Sequence, residues 1–538
     1  MRAYIKKKKP KLSREQQRQR VLERIMEDEG ELSPERARSY YEENFPKLNP
    51  DQLFVFNTLK QLILDDNKDG LLIFLDAPGG TGKTFTLNVL VSWIRMEGKE
   101  VATSATSGIA ANLLHLGRTS HNRFKLPINP TKESTCNIPK QSDLAQFLRK
   151  MSLGIIDEGP MLDKLCYEAL DRTLRGFASP QDQGKKFGGK IILVSGDFRQ
   201  LLPVIPKANP AKVVDHTLKN SVRLWDQDVM RLHLRENMRV KNEMSKCPND
   251  LALHKQLKHH EKWLLDLGEG RLPCHGYDES DIIDIPSSMC EDSKDDVIDA
   301  VFADFEENIG NAEYYKSRVV LAATNEIVNE VNNELVRRIP GELHTLTSVD
   351  TVGDMDDQTA FPTEFLNTLC LSGMPEHELL LKINSIVILL RNMDIKGGHC
   401  NGTRYLVKHI GEYRLVLHKL DAGPDDKDRV LILPQIPLRY NGLDLPFELC
   451  RCRLQFSIKL AFALTINRAQ GQSVSKCGIL LPKNVWTHGQ IYVAFSRCGN
   501  PNNLHVWAEQ SQFKDLFKDK LPEGKVLVKN VVYREVVN

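Results

Sequence analysis

The stretch from Leu71 to Leu90 constrains the fold more than any other part of the chain. It begins with a continuous apolar run, Leu71 to Leu75, which predicts a strand buried on both faces of a parallel sheet. A glycine-rich loop from Ala77 to Thr84 follows, and apolar residues with helical spacing come after it. A strand, a loop ending in Gly-Lys-Thr and a helix together form the phosphate-binding loop of nucleoside triphosphatases.

The residue types in this loop suit a triphosphate. Gly79, Gly80 and Gly82 allow the backbone to turn its N–H groups around an anion, and the helix N-terminus adds a positive dipole end. Lys83 can reach the β- and γ-phosphates, and the hydroxyl of Thr84 can ligate Mg²⁺. We therefore predict that a nucleoside triphosphate binds Pro78, Gly79, Gly80, Thr81, Gly82, Lys83 and Thr84.

Two further apolar runs end in side chains suited to phosphate chemistry. Leu153 to Ile156 leads into Asp157, which we expect to hold Mg²⁺ directly or through water. Glu158 follows it and is predicted to polarise the attacking water. Ile191 to Ser195 leads into the segment that contains Gln200, which is placed to sense the γ-phosphate. Functional groups at the carboxyl ends of parallel strands follow the rule for doubly wound α/β folds.

A fourth strand, predicted at Val101 to Thr103, is followed by four candidate DNA ligands. These are Thr106, Ser107, Arg118 and His121. Hydroxyl and basic side chains can hold a phosphodiester backbone. The same residues can also form a helix cap and a loop, and the sequence leaves that alternative open.

Gln52 is a candidate for contact with the base of the nucleotide. Its amide donates and accepts at once, which suits N6 and N7 of adenine. The structural alternative is that Asn49-Pro50-Asp51 and Gln52 cap the helical stretch that follows. The sequence by itself does not decide between these two interpretations.

Composition narrows the range of partners. The net charge is only +2, so a DNA-binding surface has to be a local groove. Eleven cysteines, without a Cys-x-x-Cys pair, argue against a disulfide framework and against a zinc module. No apolar run approaches the length of a membrane span, and there is no secretory signal. We expect no zinc, no membrane and a reducing compartment.

The beginning of the chain is strongly basic. Its first 25 residues contain ten Lys or Arg and only two Glu. The run Lys6 to Lys11 predicts a nuclear import signal or a phosphate-binding arm, and a solvated tail is an equally good interpretation. We expect a leader over residues 1–45, partly disordered or helical, and location in the nucleus or otherwise in the cytoplasm.

The motifs, taken in order, resemble a superfamily-one DNA helicase of the petite-integration-frequency (PIF) family, which is allied to RecD. Within it the chain is most similar to the helicase portion of Helitron transposases. The matching stretches, spread over about residues 46–510, are the phosphate loop, Asp51-Gln52, Thr106 to Ala111, Asp157 to Met161, Gly196 to Val204, Leu234 to Arg239, Phe361 to Asn367, Asn401 to Arg404, Leu464 to Gln472 and Tyr492 to Arg497. The chain departs from the family pattern at three positions, with Ala77 in place of glycine, Ile156 in place of tryptophan and Gly159 in place of alanine. None of these departures removes a catalytic side chain.

The resemblance implies an α/β fold made of two RecA-like P-loop NTPase domains. A small, β-rich SH3-like insertion is expected in the second domain. The implied boundaries are a leader at 1–45, the first RecA-like domain at 46–232, the first part of the second at 233–381, the insertion at 382–458 and the remainder of the second domain at 459–538.

The resemblance also implies ATP-driven unwinding of DNA with 5′ to 3′ polarity, by a protein that is monomeric on DNA. Its partners would be single-stranded DNA and tailed duplex DNA, and its roles repair, recombination and telomere maintenance. The alternative is a DNA-stimulated ATPase that translocates without unwinding inside a Helitron-type transposition complex.

The second domain is expected to complete both sites. Catalytic arginines facing the triphosphate would be Arg239 and Arg497. Further nucleotide contacts would come from Gly471 and Gln472. The sugar-phosphate backbone of DNA would be held by Thr465, Asn467 and Gln470.

Overall fold

The computed structural model describes most of the chain from residue 32 onward. The described residues are 32–65, 69–275, 281–352, 363–369, 371, 373–394, 397–423, 426, 428–440, 451–514, 517 and 524–537. The basic run Lys6 to Lys11 and the pair Phe361-Pro362 lie outside them. Within them, no helix has the length and apolar character needed to cross a membrane.

The apolar runs identified in the sequence form one parallel sheet, in the strand order β3-β2-β4-β5-β1-β6. Its strands are β1 (Leu71–Asp76), β2 (Val101–Ala105), β3 (Arg118–Thr119), β4 (Leu153–Asp157), β5 (Ile191–Gly196) and β6 (Met230–His233). The central strands are buried along their whole length, because separate apolar clusters cover the two faces of the sheet. This arrangement confirms the predicted doubly wound α/β domain.

Helices flank this first sheet on both sides. They are Pro34–Asn44, Pro50–Leu64, Lys83–Met96, Gly108–Leu113, Ser120–Phe124, Asp143–Lys150, Lys164–Phe177 and Pro210–Asp215. The helix Lys83–Met96 begins directly after the phosphate loop, and ten of its residues are buried between the sheet and the neighbouring helices. The loop is thereby fixed to the centre of the domain.

The helix Pro34–Asn44 corrects the predicted leader. It packs against the helix Lys83–Met96, and the rings of Tyr41 and Phe45 lie 6.0 and 5.1 Å from that of Phe56. Residues 34–45 therefore belong to the first domain and not to a separate leader. The charged residues on the outer face of this helix conceal a short apolar stripe, which is why the sequence alone placed the boundary too late.

A second parallel sheet, with the order β19-β8-β20-β21, forms the core of the second domain. The strands from here on are β7 (Ile282–Ile285), β8 (Arg318–Ala322), β9 (His344–Thr347), β10 (Val349–Val352), β11 (Glu378–Leu381), β12 (Ile386–Leu389), β13 (Arg404–Ile410), β14 (Arg414–Lys419), β15 (Val430–Pro434), β16 (Ile436–Tyr440), β17 (Arg451–Gln455), β18 (Ile458–Leu460), β19 (Ala463–Thr465), β20 (Lys476–Leu481), β21 (Leu504–Ala508) and β22 (Val526–Lys529). The helices are Met238–Lys246, Leu251–Gly268, Lys294–Val301, Ala312–Lys316, Asn325–Arg338, Thr363–Thr368, Gln490–Phe495 and Arg534–Val537.

The β-rich insertion is larger than predicted. A five-stranded antiparallel sheet, β15-β14-β13-β12-β18, lies where it was expected. Two smaller sheets, β10-β17-β16 and β11-β9, begin at His344, ahead of the predicted start at residue 382. Strand β10 pairs Val349 with Leu454, and a partner so distant in sequence leaves no local signal from which the boundary could be read.

The last segment of the chain returns to the first domain. Val536 is fully buried in the apolar cluster that contains Phe198 and Leu218. Lys219 Nζ donates a hydrogen bond to the carbonyl of Val536 at 2.6 Å. The prediction that residues 459–538 all belong to the second domain is therefore wrong at its end, where a helix of four residues is too short to show a periodic pattern.

Candidate nucleotide-binding cleft

The phosphate loop holds its own curvature. Thr81 donates to the carbonyl of Pro78 through both its hydroxyl (2.9 Å) and its backbone N–H (3.3 Å). Gly80 and Gly82 have φ of 94° and 79°, in the left-handed region that side-chain-bearing residues avoid. A Cβ on Gly80 would also lie 2.5 Å from Asn237 Oδ1, so this glycine is required twice over.

Gln52 supports this loop from behind. Its Oε1 accepts from the backbone N–H of Asn49 (3.1 Å), while Asn49 Oδ1 accepts from the N–H of Gln52 (2.9 Å), which completes a capping box. Its Nε2 donates to the carbonyl of Thr81 (3.0 Å). The helix-cap alternative is thus present in the structure, and the contact of Gln52 with adenine remains a prediction.

Lys83 and the two predicted carboxylates meet at the carboxyl edge of the sheet. Lys83 Nζ lies 2.7 Å from Asp157 Oδ1 and 2.9 Å from Glu158 Oε1, and Ser195 Oγ donates to Asp157 Oδ1 at 2.7 Å. Burial by itself lowers the pKa of Lys83, but the two adjacent carboxylates raise it above its ordinary value. Lys83 therefore carries a firmly held charge whose present partners are the groups predicted to serve the metal and the water.

The oxygen donors needed for Mg²⁺ are available beside Lys83. Thr84 is the second residue of the helix that follows the loop, and Asp157 ends β4. A hydroxyl and a carboxylate are hard oxygen ligands of the kind that Mg²⁺ takes in phosphate sites, where it keeps several waters. The residues present fit this metal.

Gln200 belongs to a hydrogen-bonded network that the sequence did not predict. Its Nε2 is 3.5 Å from Asp197 Oδ2, and its buried Oε1 has no hydrogen-bond partner in the described part of the chain. Arg199 pairs with Asp197 (2.8 Å) and Glu269 (3.0 Å). Tyr492 of the second domain donates its hydroxyl to Asp197 Oδ2 at 2.8 Å. The segment after β5 is therefore tied directly to the second domain.

Gln470, predicted to contact DNA, lies in the cleft beside Glu158. Its Nε2 donates to Glu158 Oε2 at 3.3 Å, and its side chain is buried. The segment that follows β19 thus brings the amide of Gln470 to the carboxylate that is assigned to water activation. The contact of Gln470 with DNA remains a prediction.

Arg497 reaches the phosphate loop from the second domain. A Cβ on Gly79 would lie 3.9 Å from Arg497 Nη2. The guanidinium is held by the carbonyls of Ala469 (3.4 Å), Gln472 (3.0 Å) and Val493 (2.9 Å). Burial lowers the pKa of Arg497, an effect that the charge of Glu158 partly offsets. Its action on the triphosphate remains a prediction.

Arg239 covers the other side of the loop. Its Nη1 donates to the carbonyl of Ser496 (2.9 Å), and the backbone N–H of the preceding Met238 donates to the carbonyl of Gly80 (2.9 Å). Burial and the nearby charge of Arg497 lower the pKa of Arg239 to about 10. Two arginines thus flank the phosphate loop across the domain interface.

Gly471 and Gln472, predicted as nucleotide contacts, line a different cavity. Ile109 and Gly402 also line this cavity. The carbonyl of Gln472 accepts a hydrogen bond from Arg497. The direct contact of Gly471 and Gln472 with the nucleotide remains a prediction.

The remaining DNA candidates occupy several positions. Ser107 Oγ caps the helix Gly108–Leu113 by accepting from the N–H of Ala110 (3.2 Å), as the structural alternative proposed. Thr106 Oγ1 donates to the carbonyl of Glu158 (2.9 Å), which links it to the catalytic strand.

The other four candidates lie near the carboxyl ends of strands, two of them in each domain. Arg118 is in β3, His121 is exposed in the helix that follows, and Thr465 ends β19. Asn467 is exposed and accepts from Gln490 Nε2 at 3.1 Å. Their contacts with DNA remain predictions.

Known proteins resemble this chain in sequence over most of its length. A family model described as PIF1-like helicase matches residues 47–277, and a model of the 2B domain of DNA helicase Pif1 matches residues 364–410. The ATP-dependent DNA helicase Pif1 of Campylobacter jejuni is 25% identical over 471 residues, which are 84% of this chain and 91% of that protein. The corresponding Xenopus laevis protein is 25% identical over 86% of this chain, which spans 62% of its length.

The solved structures that this chain resembles include that of Pif1 helicase from Candida albicans. It is 22% identical, has a TM-score of 0.59, and the match covers 91% of this chain and 97% of that one. This likeness confirms the fold. The two family models together match just over half of the 538 residues. The chain belongs to the PIF1-like helicase family.

Proposed function

We propose that this chain is an ATP-dependent DNA helicase that moves 5′ to 3′ along single-stranded DNA and unwinds tailed duplexes. The observation that carries the proposal is the meeting of two domains at one phosphate loop. Lys83 and Glu158 come from the first domain, and Gln470 and Arg497 come from the second. Such a cleft can close and open with each triphosphate hydrolysed, and this is the hinge motion that a translocating motor requires.

The contacts of Lys83 suggest how hydrolysis is controlled. In the structure its ammonium group forms ion pairs with Glu158 Oε1 and Asp157 Oδ1. When Lys83 binds the γ-phosphate, both carboxylates lose this partner. Glu158 is then free to polarise the attacking water, and Asp157 with Thr84 is free to ligate Mg²⁺. Mg²⁺ would neutralise charge on the β- and γ-phosphates.

The names of the curated relatives support ATP as the substrate and DNA as the partner. We infer that DNA is held by Arg118, His121, Thr465 and Asn467, which lie at the cleft edge of the two sheets. Contacts of this kind are made to phosphates, so binding should tolerate any sequence and weaken with salt. Roles in repair, recombination and telomere maintenance, and action in the nucleus as a monomer on DNA, are part of the proposal.

Strand displacement on two matched substrates tests the proposal. One duplex carries a 5′ single-stranded tail and the other a 3′ tail of the same length. We expect ATP-dependent displacement of the 5′-tailed duplex only, and its loss in Glu158→Gln with ATP binding retained. Glu133→Gln, which removes an exposed carboxylate, serves as the matched control. Displacement from the 3′ tail would overturn the polarity.

The same experiment separates the Helitron-type alternative. A translocase without unwinding activity would hydrolyse ATP faster in the presence of single-stranded DNA, yet displace neither strand. ATPase measured beside displacement therefore distinguishes the two functions, and equal ATPase rates with and without DNA would contradict both.

A further inference from the structure

His260 is a buried histidine whose polar atoms have no role in the cleft described so far. It lies in the helix Leu251–Gly268 with 3% of its surface exposed, and its ring stacks on that of Trp263. Neither Nδ1 nor Nε2 has a hydrogen-bond partner in the described part of the chain. Burial lowers the pKa of His260 to about 4, so the ring is neutral near pH 7 and offers one donor and one acceptor.

An unpaired buried polar atom calls for an explanation, because leaving one unsatisfied is costly. Packing alone does not provide it, since a phenyl ring would stack on Trp263 equally well without any orphaned nitrogen. The two nitrogens of His260 therefore point to a polar partner that arrives from outside the protein.

The cavity that His260 lines shows where such a partner would come from. Pro78, Gly79 and Thr81 of the phosphate loop form one wall of it. Its volume is about 40 Å³, which admits a water or a hydroxyl group but not a nucleobase.

An open cleft of about 760 Å³, large enough for a base, adjoins this cavity beside Pro50 and Asp51. Arg235, Asn237 and Glu261 line both spaces. A nucleotide with its phosphates on the loop and its base in the cleft has its sugar at the small cavity.

We propose that the imidazole of His260 hydrogen-bonds a ribose hydroxyl of the bound nucleotide, so that the site prefers ribonucleoside over deoxyribonucleoside triphosphates. The inference rests on the proposed function and adds to it the group that distinguishes the sugar. A site built to pair with a hydroxyl rejects the analogue that lacks it, because its own polar atoms are then left unpaired.

Equilibrium binding of ATP, 2′-deoxy-ATP and 3′-deoxy-ATP to the full chain tests this proposal. We expect the protein to bind ATP about tenfold more tightly than at least one of the deoxy analogues, as one hydrogen bond allows. In His260→Phe the ratio should fall to within about twofold of unity, mainly through weaker binding of ATP. His260→Gln, which keeps a donor and an acceptor, should retain part of the preference, and His259→Phe, at the exposed neighbouring position, should retain all of it.

Three results would overturn the proposal. They are equal affinity of the unaltered protein for all three nucleotides, an unchanged ratio in His260→Phe, and loss of the ratio in His259→Phe. Thermal unfolding without nucleotide checks that His260→Phe is folded, and because it removes two orphaned nitrogens its melting temperature should not fall. Failure of the unaltered protein to bind any of the three would instead contradict the proposed function.

Discussion

The two sides of the cleft hold their charged groups in different ways. On the side of the phosphate loop, cations are paired with carboxylates: Lys83 with Asp157 and Glu158, and Arg199 with Asp197. On the side of the second domain, Arg497 is held by backbone carbonyls and the hydroxyl of Ser496, and Arg239 by the carbonyl of Ser496. In the described residues neither of these two arginines forms an ion pair.

The pKa values follow this difference. Carboxylates raise the pKa of Lys83, whereas burial lowers the pKa of Arg239 and Arg497. A buried cation without a counter-charge is costly, and a triphosphate would supply that charge. The charge of Lys83 in the first domain is therefore balanced without nucleotide. The charges of Arg239 and Arg497 are balanced only when a triphosphate is bound. Nucleotide binding should for this reason stabilise the closed cleft.

Lys83→Ala breaks the paired side and should have the largest effect. We expect ATP hydrolysis to fall on the order of 10³-fold or more, because the γ-phosphate loses its positive partner. Turnover is measured with saturating ATP and single-stranded DNA. Lys47→Ala, at an exposed lysine, is the control, and hydrolysis within tenfold of normal in Lys83→Ala would contradict the assignment.

Arg497→Ala tests the unpaired side. Hydrolysis should fall at least about a hundredfold, because arginines supplied from a second domain stabilise charge that develops on the γ-phosphoryl oxygens. ATP affinity should fall much less, and binding of single-stranded DNA without nucleotide should survive. Arg414→Ala, at an exposed arginine of the insertion, controls for loss of charge.

Arg497→Lys sharpens that result, since lysine keeps the charge without the planar fork. If Arg497 acts on the phosphate, the lysine variant should also be slow. Near-normal turnover in both variants would show that the arginine only holds the carbonyls of Ala469 and Gln472.

Tyr492→Phe removes the hydrogen bond that joins the two sides at Asp197. A bond to a buried carboxylate contributes about 1.5–3 kcal/mol, but Arg199 continues to satisfy Asp197. We therefore expect hydrolysis to fall by less than about tenfold and the melting temperature to fall by several degrees. Tyr413→Phe, at an exposed tyrosine, should change neither quantity. An effect as large as that of Arg497→Ala would mean that Tyr492 itself contacts the nucleotide.

Ala77→Gly should have the smallest effect. Ala77 donates its N–H to the carbonyl of Gly196 and lies before the curved part of the loop, so its methyl group does not enter the anion site. ATP affinity should change by less than about tenfold, or 1.4 kcal/mol. Ala105→Gly, at the end of β2 in the same sheet, controls for added backbone freedom. A larger gain in affinity would show that the methyl group strains the loop.

The sequence by itself determined the central strands of the first domain and the residues at their carboxyl ends. Lys83 and Thr84 belong to a contiguous motif, and Asp157 follows a run that can only be a buried strand. Because parallel strands end at one edge of their sheet, strand-end residues converge whatever lies between them. The local sequence pattern was therefore enough to predict that these residues lie close together.

Only the tertiary structure decided which side-chain contacts form between elements that are distant in sequence. Gln470 contacts Glu158, Tyr492 reaches Asp197, and His260 lies beside the phosphate loop. The start of the insertion at His344 likewise depends on pairing more than a hundred residues away. Periodicity tells which face of an element is buried, but the partner across that face is chosen by the packing of the whole chain.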